Sequence, residues 1–515
     1  MKKRYPLIAS LLLPVMLSAQ TPADLAVQLS ATVQETPPQI RLTWKKHTDA
    51  TSYAVYRRLK GSTNWGSPLA TMSGADTVYT DNSVSATSAY EYRVAKDGGS
   101  LTALGYIYAG INAPPIHNRG TLLLVVDNLF IDSCAAEIAQ LMEDISGDGW
   151  QLLRRDVSRD SSDVFVKSLI RSAAQTHSDL SAVLLLGHVA VPYSGDLNPD
   201  GHGDHKGAWP ADGYYGDLQG VWTDNIVNDT TAAQTRNHNV PGDGKWDQSI
   251  MPFSLALQVS RVDFHNMPAF GKTEVQLMKN YLNRLHRYKM DSVQVQRRAL
   301  VDNNFSLADY SEGFSLNAWR NFPPLVGADQ IHQVDFVESL DDSSFQWAYG
   351  CGAGSFTSAG GIGNTTSFTT HHVNGIFTML FGSYFGDWDS QNNFLRAPLC
   401  AETPALTSCW AGRPHWYFHH MALGENIGYS ARLSQNNTGA ANAHYDAGIG
   451  ARFIHIALMG DLTLRTEYIR PASGLTITPQ GDQGATLSWS PSPDAGVVGY
   501  YVYRSDELFG KYEPV

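Results

Sequence analysis

Leu122-Leu-Leu-Val-Val-Asp127 and Ala182-Val-Leu-Leu-Leu-Gly-His188 are the stretches on which the fold turns. In each, five consecutive aliphatic residues run without polar alternation and end at a polar residue. A strand with one wet face alternates; a strand covered on both faces reads as a continuous apolar run. Between the two runs, residues 132–145 and 162–175 carry apolar side chains at helical spacing. Strand, helix, helix and strand in this order predict a parallel sheet with helices on both faces. Working outward, 299–301, 345–349 and 375–381 read as further strands, and 416–431 as a closing helix. Sites of such sheets lie at the carboxyl ends of the strands, so the residues just after each run matter most.

Outside this region the pattern changes. Residues 41–58 read Arg-Leu-Thr-Trp44, a polar turn, then Tyr53-Ala-Val-Tyr56-Arg-Arg. Residues 486–505 repeat it: Thr-Leu-Ser-Trp489, a Pro/Asp/Gly turn, then Tyr501-Val-Tyr503-Arg-Ser. Both are strand–turn–strand units with period-two alternation, placing Trp44 and Trp489 at equivalent core positions. The pattern resembles a fibronectin type III module, which implies a seven-stranded β-sandwich. Four segments follow: a signal peptide over 1–19, a fibronectin type III-like sandwich over 22–113, an α/β domain over 117–468, and the start of a second sandwich over 471–515. The second copy reaches only about half a module at Val515, so its core face is expected to be exposed. Lys2, Lys3 and Arg4, the apolar stretch from Pro6 to Leu17, and Leu17-Ser18-Ala19 before Gln20 have the layout of a cleavable secretory signal. This predicts export to the cell surface or medium. No later stretch reaches the ~20 residues of a transmembrane helix.

Composition agrees with an exported globular protein of several domains. Of 515 residues, 43% are hydrophobic and 17% charged, and the formal net charge is −12. There is no basic run past the N-terminus, which excludes a nucleic-acid footprint. The four cysteines, Cys134, Cys351, Cys400 and Cys409, are too few for a disulfide scaffold. Cys400 and Cys409 are close enough in sequence to pair, and Cys351 has no evident partner.

Several strand ends of the middle domain resemble the gingipain-like cysteine peptidases. The segments are Leu184-Leu-Leu-Gly-His-Val-Ala-Val-Pro192, Asp212-Gly-Tyr-Tyr-Gly-Asp-Leu-Gln-Gly220, Val259-Ser-Arg-Val262 with Glu274 and Tyr281, and Leu458-Met-Gly-Asp-Leu-Thr-Leu-Arg465. Their order along the chain carries the resemblance. It implies a caspase-like fold, a peptide substrate and bound calcium. The family places a histidine in a Gly-His-Gly turn and the nucleophilic cysteine at the end of the next strand. Here the first turn reads Tyr349-Gly-Cys-Gly-Ala-Gly354, which puts Cys351 at the histidine position. The second runs Ile376-Phe-Thr-Met-Leu-Phe-Gly-Ser-Tyr-Phe-Gly-Asp-Trp388, which puts Ser383 at the cysteine position, with Gly386 and Asp387 holding the trailing Gly-Asp. A thiol is a poor base, and a hydroxyl without a base is nearly inert.

Three readings follow. In the first, a peptidase-type hydrolase persists with an altered dyad: Cys351 as nucleophile, a base from His371, His372, His415 or His188, and Ser383 with the amides near Gly382 as oxyanion hole. In the second, the domain is an inactive binding module for peptide or glycan, lined by Trp388, Trp410, Trp416 and Tyr417, whose bland alternative is core packing. In the third, sandwich and α/β domain form an adhesive or spacer element of a surface protein.

Other constellations are less specific. Asp196, Asn198, Asp200 and Asp204 alternate oxygen-bearing side chains ahead of and around Gly201, as in the front half of a calcium loop. Gly207 stands where an EF-hand needs glutamate, so a looser structural Ca²⁺ site is the expectation, with 241–247 as a second Asp/Gly loop. His415 and His419 lie four apart on the expected closing helix, near His420 and Glu425. Arg396 and Arg413 are candidates for a substrate carboxylate, or for salt bridges. Trp209, Tyr214, Tyr215 and Trp222 line a pocket or cover a sheet edge.

Overall fold

A computed structural model describes residues 21–99, 102–305, 314–413, 415–438, 445, 451–482 and 484–515. The expected signal peptide, 1–19, lies outside these residues. The chain is a multidomain, mixed α/β protein with one large sheet and several small antiparallel ones.

The large sheet has ten strands: β1 (Thr121–Asp127), β2 (Gln151–Val157), β3 (Leu180–Leu186), β4 (Gln258–Val262), β5 (Ala299–Asn303), β6 (Ile331–Gln333), β7 (Phe345–Cys351), β8 (Gly375–Phe381), β9 (Thr407–Trp410) and β10 (Leu458–Gly460), in the order β6-β5-β7-β8-β9-β10-β4-β3-β1-β2. The apolar runs have the two-sided burial their composition requires. Leu122, Leu124 and Val126 pack with Ile138 and Leu141 of helix α1 (Ala135–Gly147) and with Leu277 and Tyr281 of helix α3 (Glu274–Lys289). Leu123 and Val125 face the other way, onto Val166 and Ile170 of helix α2 (Asp163–Thr176). Alternate side chains of one strand thus enter two different cores. Helix starts are set by side chains: Ser162 Oγ accepts the Phe165 N–H, and Thr273 and Gln276 form a capping box.

Every neighbouring pair in this sheet is parallel except β9 and β10. That single antiparallel seam reverses strand direction between the two halves. The carboxyl ends of β5, β7 and β8 therefore lie on one edge, and those of β1, β3 and β4 on the opposite edge. His188, after β3, is therefore on the edge opposite Cys351 and Ser383, which removes it from the candidate bases.

The closing helix also differs from expectation. Residues 419–423 form a 3₁₀ helix, Gly424 adopts φ +81°, and helix α4 (Ile427–Asn436) starts afresh. A left-handed residue there ends the first segment and changes the chain direction, so His415 and His419 do not share a helical face. All four cysteines are free and buried.

Residues 30–110 form two antiparallel sheets, of three strands (Ser30–Gln34, Gln39–Thr43, Val78–Asp81) and four strands (Ser52–Leu59, Ala70–Ser73, Ala89–Asp97, Ala103–Gly110). Trp44 and Tyr53 meet in the core between them, with ring centroids 5.2 Å apart. This sandwich is joined to the α/β domain through a buried polar chain. Arg58 donates to Glu91 at 2.6 Å, and Glu91 pairs with His419 Nε2 at 2.7 Å. Residues 471–515 contribute two small two-stranded sheets, with Leu475, Ile477 and Tyr501 exposed.

Candidate functional site

Strands β7 and β8 pair in parallel and end side by side. The turn after β8, Gly382-Ser383-Tyr384, lies against the turn after β7. A Cβ on Gly354 would stand 2.3 Å from the Ser383 backbone nitrogen, so only glycine permits this approach. Trp410 Nε1 donates to the Gly382 carbonyl at 2.8 Å and holds the turn from below.

Tyr384 has φ +69°, and the Phe385 N–H closes onto the Ser383 carbonyl at 2.9 Å. This is a γ-turn of the rare, strained hand. Such a conformation at a bulky residue costs roughly 1–3 kcal/mol and persists only when its surroundings enforce it. Here the Tyr384 N–H donates to Asp200 Oδ2 at 3.0 Å, and its ring stacks on His202 and His205, with centroids 4.8 and 5.0 Å away.

The residues that enforce the turn come from the loop 198–205, which crosses from the other half of the sheet. His202 Nε2 lies 2.8 Å from Ser383 Oγ. The His202 N–H is itself held by Asp200 Oδ1 at 3.2 Å. Asp200 therefore holds His202 through its own N–H and Ser383 through the N–H of the next residue, Tyr384. Below them, His205 Nδ1 meets Asp200 Oδ2 at 2.6 Å and its Nε2 meets Asp387 Oδ2 at 3.1 Å. Asp387 also accepts from Asn237 Nδ2 at 2.9 Å and from Arg236. An imidazole with a carboxylate on each nitrogen is best satisfied as the cation, donating twice. Burial by itself would lower the His205 pKa, but the hydrogen bonds and charges of Asp200 and Asp387 outweigh it and raise it. Burial would likewise raise the Asp200 pKa, yet His205 and the Tyr384 and His202 amides hold it below the ordinary carboxylate value.

The sequence-predicted positions are distributed as follows. Ser383 is half-buried at the centre of this cluster. Cys351 is fully buried, its Sγ donates to Asn303 Oδ1 at 3.1 Å, and burial pushes its thiol up to about 12. A nucleophilic thiol needs an accessible, low-pKa sulfur, and Cys351 meets neither condition. Among the candidate bases, His371 and His372 precede β8 and so lie at its far end, and His188 is on the opposite edge. His415 is buried, with Nδ1 at 3.1 Å from Arg320. Trp388, Trp410, Trp416 and Tyr417 are core side chains, as are Trp209, Tyr214 and Tyr215. Arg396 is buried between Asp263 and the carbonyls of His265 and Ser390. Arg413 bonds the Pro199 carbonyl and so braces the 198–205 loop.

The four oxygen-bearing residues of the expected calcium loop do not converge. Asp196 pairs with Lys206 at 2.7 Å, Asp200 with His205, and Asp204 accepts from the Tyr384 hydroxyl at 3.2 Å, while Asn198 is exposed. Among the described residues, Glu91, His419 and His420 are the one group of three or more His, Cys, Asp or Glu side chains whose ligand atoms lie within 4.8 Å of one another. That group is the buried joint to the sandwich, and its ring nitrogens are engaged by Glu91, Ser430 and Tyr445.

His202, His205 and the structural part of Asp387 were not singled out from the sequence as functional. A Gly201-His202-Gly203 triplet stands in this loop, whereas the family resemblance places the Gly-His-Gly turn at 350–352.

No protein-family model matches the chain, and no curated protein matches it. Among solved structures it is similar to the Arg-specific cysteine proteinase gingipain R at 12% identity, over 70% of this chain and 81% of that one, with a TM-score of 0.44. An Fn3-like protein from Clostridium thermocellum matches 17% of this chain and 88% of its own at 28% identity and a TM-score of 0.14. Pectate lyase PelI from Erwinia chrysanthemi matches 20% of this chain and 33% of its own at 15% identity and a TM-score of 0.15. All three TM-scores fall below 0.5, so the chemistry assigned to the site rests on its own geometry.

Proposed function

We propose that the α/β domain is a hydrolase of acyl bonds, peptide or ester, with Ser383 as nucleophile and His202 as its general base. The observation that carries this is the 2.8 Å contact between Ser383 Oγ and His202 Nε2 at the carboxyl end of a parallel strand. A hydroxyl becomes nucleophilic when a positioned imidazole takes its proton in the attack. His202 Nε2 receives that proton as Oγ bonds to the acyl carbon, then returns it to the leaving group. Water, deprotonated by the same nitrogen, releases the acyl group from Ser383. The Ser383 N–H has no acceptor among the described residues; an oxyanion hole in this reading would draw on such free backbone amides. The strained turn at Tyr384 and the Asp200–His205–Asp387 clamp supply preorganisation rather than chemistry.

The order of strand-end motifs in the sequence supports a peptide as the substrate, and the signal-like N-terminus supports an exported setting. Among the described residues no helix is long and apolar enough to cross a membrane.

An active-site-directed fluorophosphonate probe, followed by peptide mass spectrometry, tests the assignment. Modification at Ser383, lost in His202→Asn and unchanged in Cys351→Ala, is the expected result. Folded protein that takes up no probe and cleaves no ester or peptide library would refute it and leave the inactive binding module.

A further inference from the structure

The opposite edge of the sheet carries a second arrangement that the Ser383 chemistry does not use. His188 follows β3 and His265 follows β4, two neighbouring parallel strands. Their imidazoles stack with centroids 4.1 Å apart and planes 30° from parallel. Each ring is held from behind by a carboxylate: His188 Nδ1 lies 2.9 Å from Asp263 Oδ2, and His265 Nδ1 lies 2.9 Å from Glu274 Oε1. The backbones are fixed as well, since the His188 N–H donates to Asp127 at 3.0 Å and the His265 N–H to Asp263 at 2.8 Å. Neither Nε2 has a partner among the described residues, and the two side chains are 23% and 39% exposed.

This is an unusual way to build a surface. A carboxylate on Nδ1 fixes the tautomer, so that a neutral ring presents the Nε2 lone pair outward. Two such rings are held together although two imidazolium ions would repel. The carboxylates are themselves anchored: Asp263 by Arg396, and Asp127 and Glu274 together by Arg159. Arg261 is occupied by Asp212, with which it forms bonds of 2.8 and 2.9 Å. Arg261 also lies 3.7 Å from Asp263, so four carboxylates, Asp127, Asp212, Asp263 and Glu274, are matched by three guanidiniums, Arg159, Arg261 and Arg396. The residual charge under the rings is negative and favours a cation in front of them. Carboxylate–histidine pairs of this kind are the usual backing of a metal-bound imidazole, raising its basicity and orienting it.

We propose that His188 and His265 bind a divalent transition-metal ion of the zinc type through their Nε2 atoms, with Asp263 and Glu274 as the carboxylates behind them. For both Nε2 atoms to reach one ion at Zn–N distances of about 2.0–2.1 Å, the stacked rings must tilt toward a common point while keeping their Nδ1 bonds to Asp263 and Glu274. Water or a ligand fills the remaining positions, because no third histidine, cysteine or carboxylate atom completes the group among the described residues. The site is separate from the Ser383–His202 pair, from which the antiparallel seam divides it, and stands or falls independently of it.

Titration of the metal-stripped full chain with Zn²⁺, read by calorimetry, and with Co²⁺, read by its visible absorption, tests the proposal. Asparagine reproduces the Nδ1 donor of histidine but lacks Nε2. His188→Asn and His265→Asn are therefore expected to keep their hydrogen bonds to the carboxylates, and with them the fold, while each loses binding by at least tenfold. Glu274→Gln is expected to weaken binding by about 10–100-fold. Wild-type protein that binds no Zn²⁺, or binding that persists unchanged in both asparagine variants, would overturn the proposal. Circular dichroism of each variant separates loss of the site from loss of the fold.

Discussion

Replacing His205 by glutamine removes a buried cation from between two carboxylates and should loosen the whole Ser383 turn. Asp200 and Asp387 lie on its two nitrogens, and both carboxylates are inaccessible to solvent. Removing one partner of a buried ionic group costs about 3–5 kcal/mol. The low end applies here, because Asp200 keeps the amides of His202 and Tyr384, and Asp387 keeps Arg236 and Asn237. About 3 kcal/mol, at roughly 2 °C per kcal/mol for a domain of this size, lowers the melting temperature by ~6 °C. The effect depends on pH with a defined sign. His205 is raised above its ordinary value in the folded state. Its stabilisation is therefore complete below the unfolded-state pKa of about 6.5 and is lost as pH rises through the higher folded value. Differential scanning calorimetry of wild type and variant should show a gap in melting temperature that is widest in mild acid and closes in the alkaline range. The same variant should react more slowly at Ser383, since a displacement near 1 Å costs about 10²-fold. A gap that is absent, or constant across pH, would refute a protonated His205 as the clamp.

Three further outcomes are expected. Cys351 should resist iodoacetamide in the native protein at neutral pH and react only on unfolding, because its thiol is buried and pushed up to about 12; rapid native labelling, read by mass spectrometry, would contradict this. Cys351→Ala should cost about 1 kcal/mol of stability, measured by urea unfolding, and leave fluorophosphonate labelling at Ser383 intact, whereas Ser383→Ala should abolish labelling. Asp196, Asp200 and Asp204 already have donors in Lys206, His205 and Tyr384, so millimolar calcium should leave the melting temperature of chelator-treated protein unchanged; a rise that Asp200→Asn removes would restore the calcium reading.

The large-scale architecture was legible because its signals are local. Leu122–Val126 and Ala182–Leu186 are apolar without alternation, and only a strand between two helical layers buries both faces of such a run. The direction of each half-sheet was not legible. It depends on one antiparallel seam between Thr407–Trp410 and Leu458–Gly460, two short strands separated by a long stretch of chain. That seam moved His188 away from Ser383. Ser383 was readable, through the family resemblance, as the counterpart of the cysteine position, although the expected nucleophile was Cys351. The histidine beside Ser383 was not readable, because His202 reaches it across 181 residues of sequence. The acidic spacing around it, Asp196 to Asp204, drew the oxygen-ligand interpretation instead. Alternating carboxylates look the same in a sequence whether they face a cation or, as here, Lys206, His205 and a tyrosine hydroxyl.

The buried chain Arg58–Glu91–His419 has a mechanical meaning. Sandwich modules joined by flexible linkers behave as beads on a string, and the distance between what they hold and a neighbouring domain follows chain statistics. Here the joint is a desolvated ion pair backed by packing of Tyr108 on His420 at 4.9 Å, and bending it would expose those charges one by one. A ligand bound to the sandwich would therefore be presented to the Ser383 edge at a fixed range and bearing. The effective concentration of a tethered target is set by the shape of a rigid arm: high for targets whose two attachment points match that span, and close to zero for those that do not.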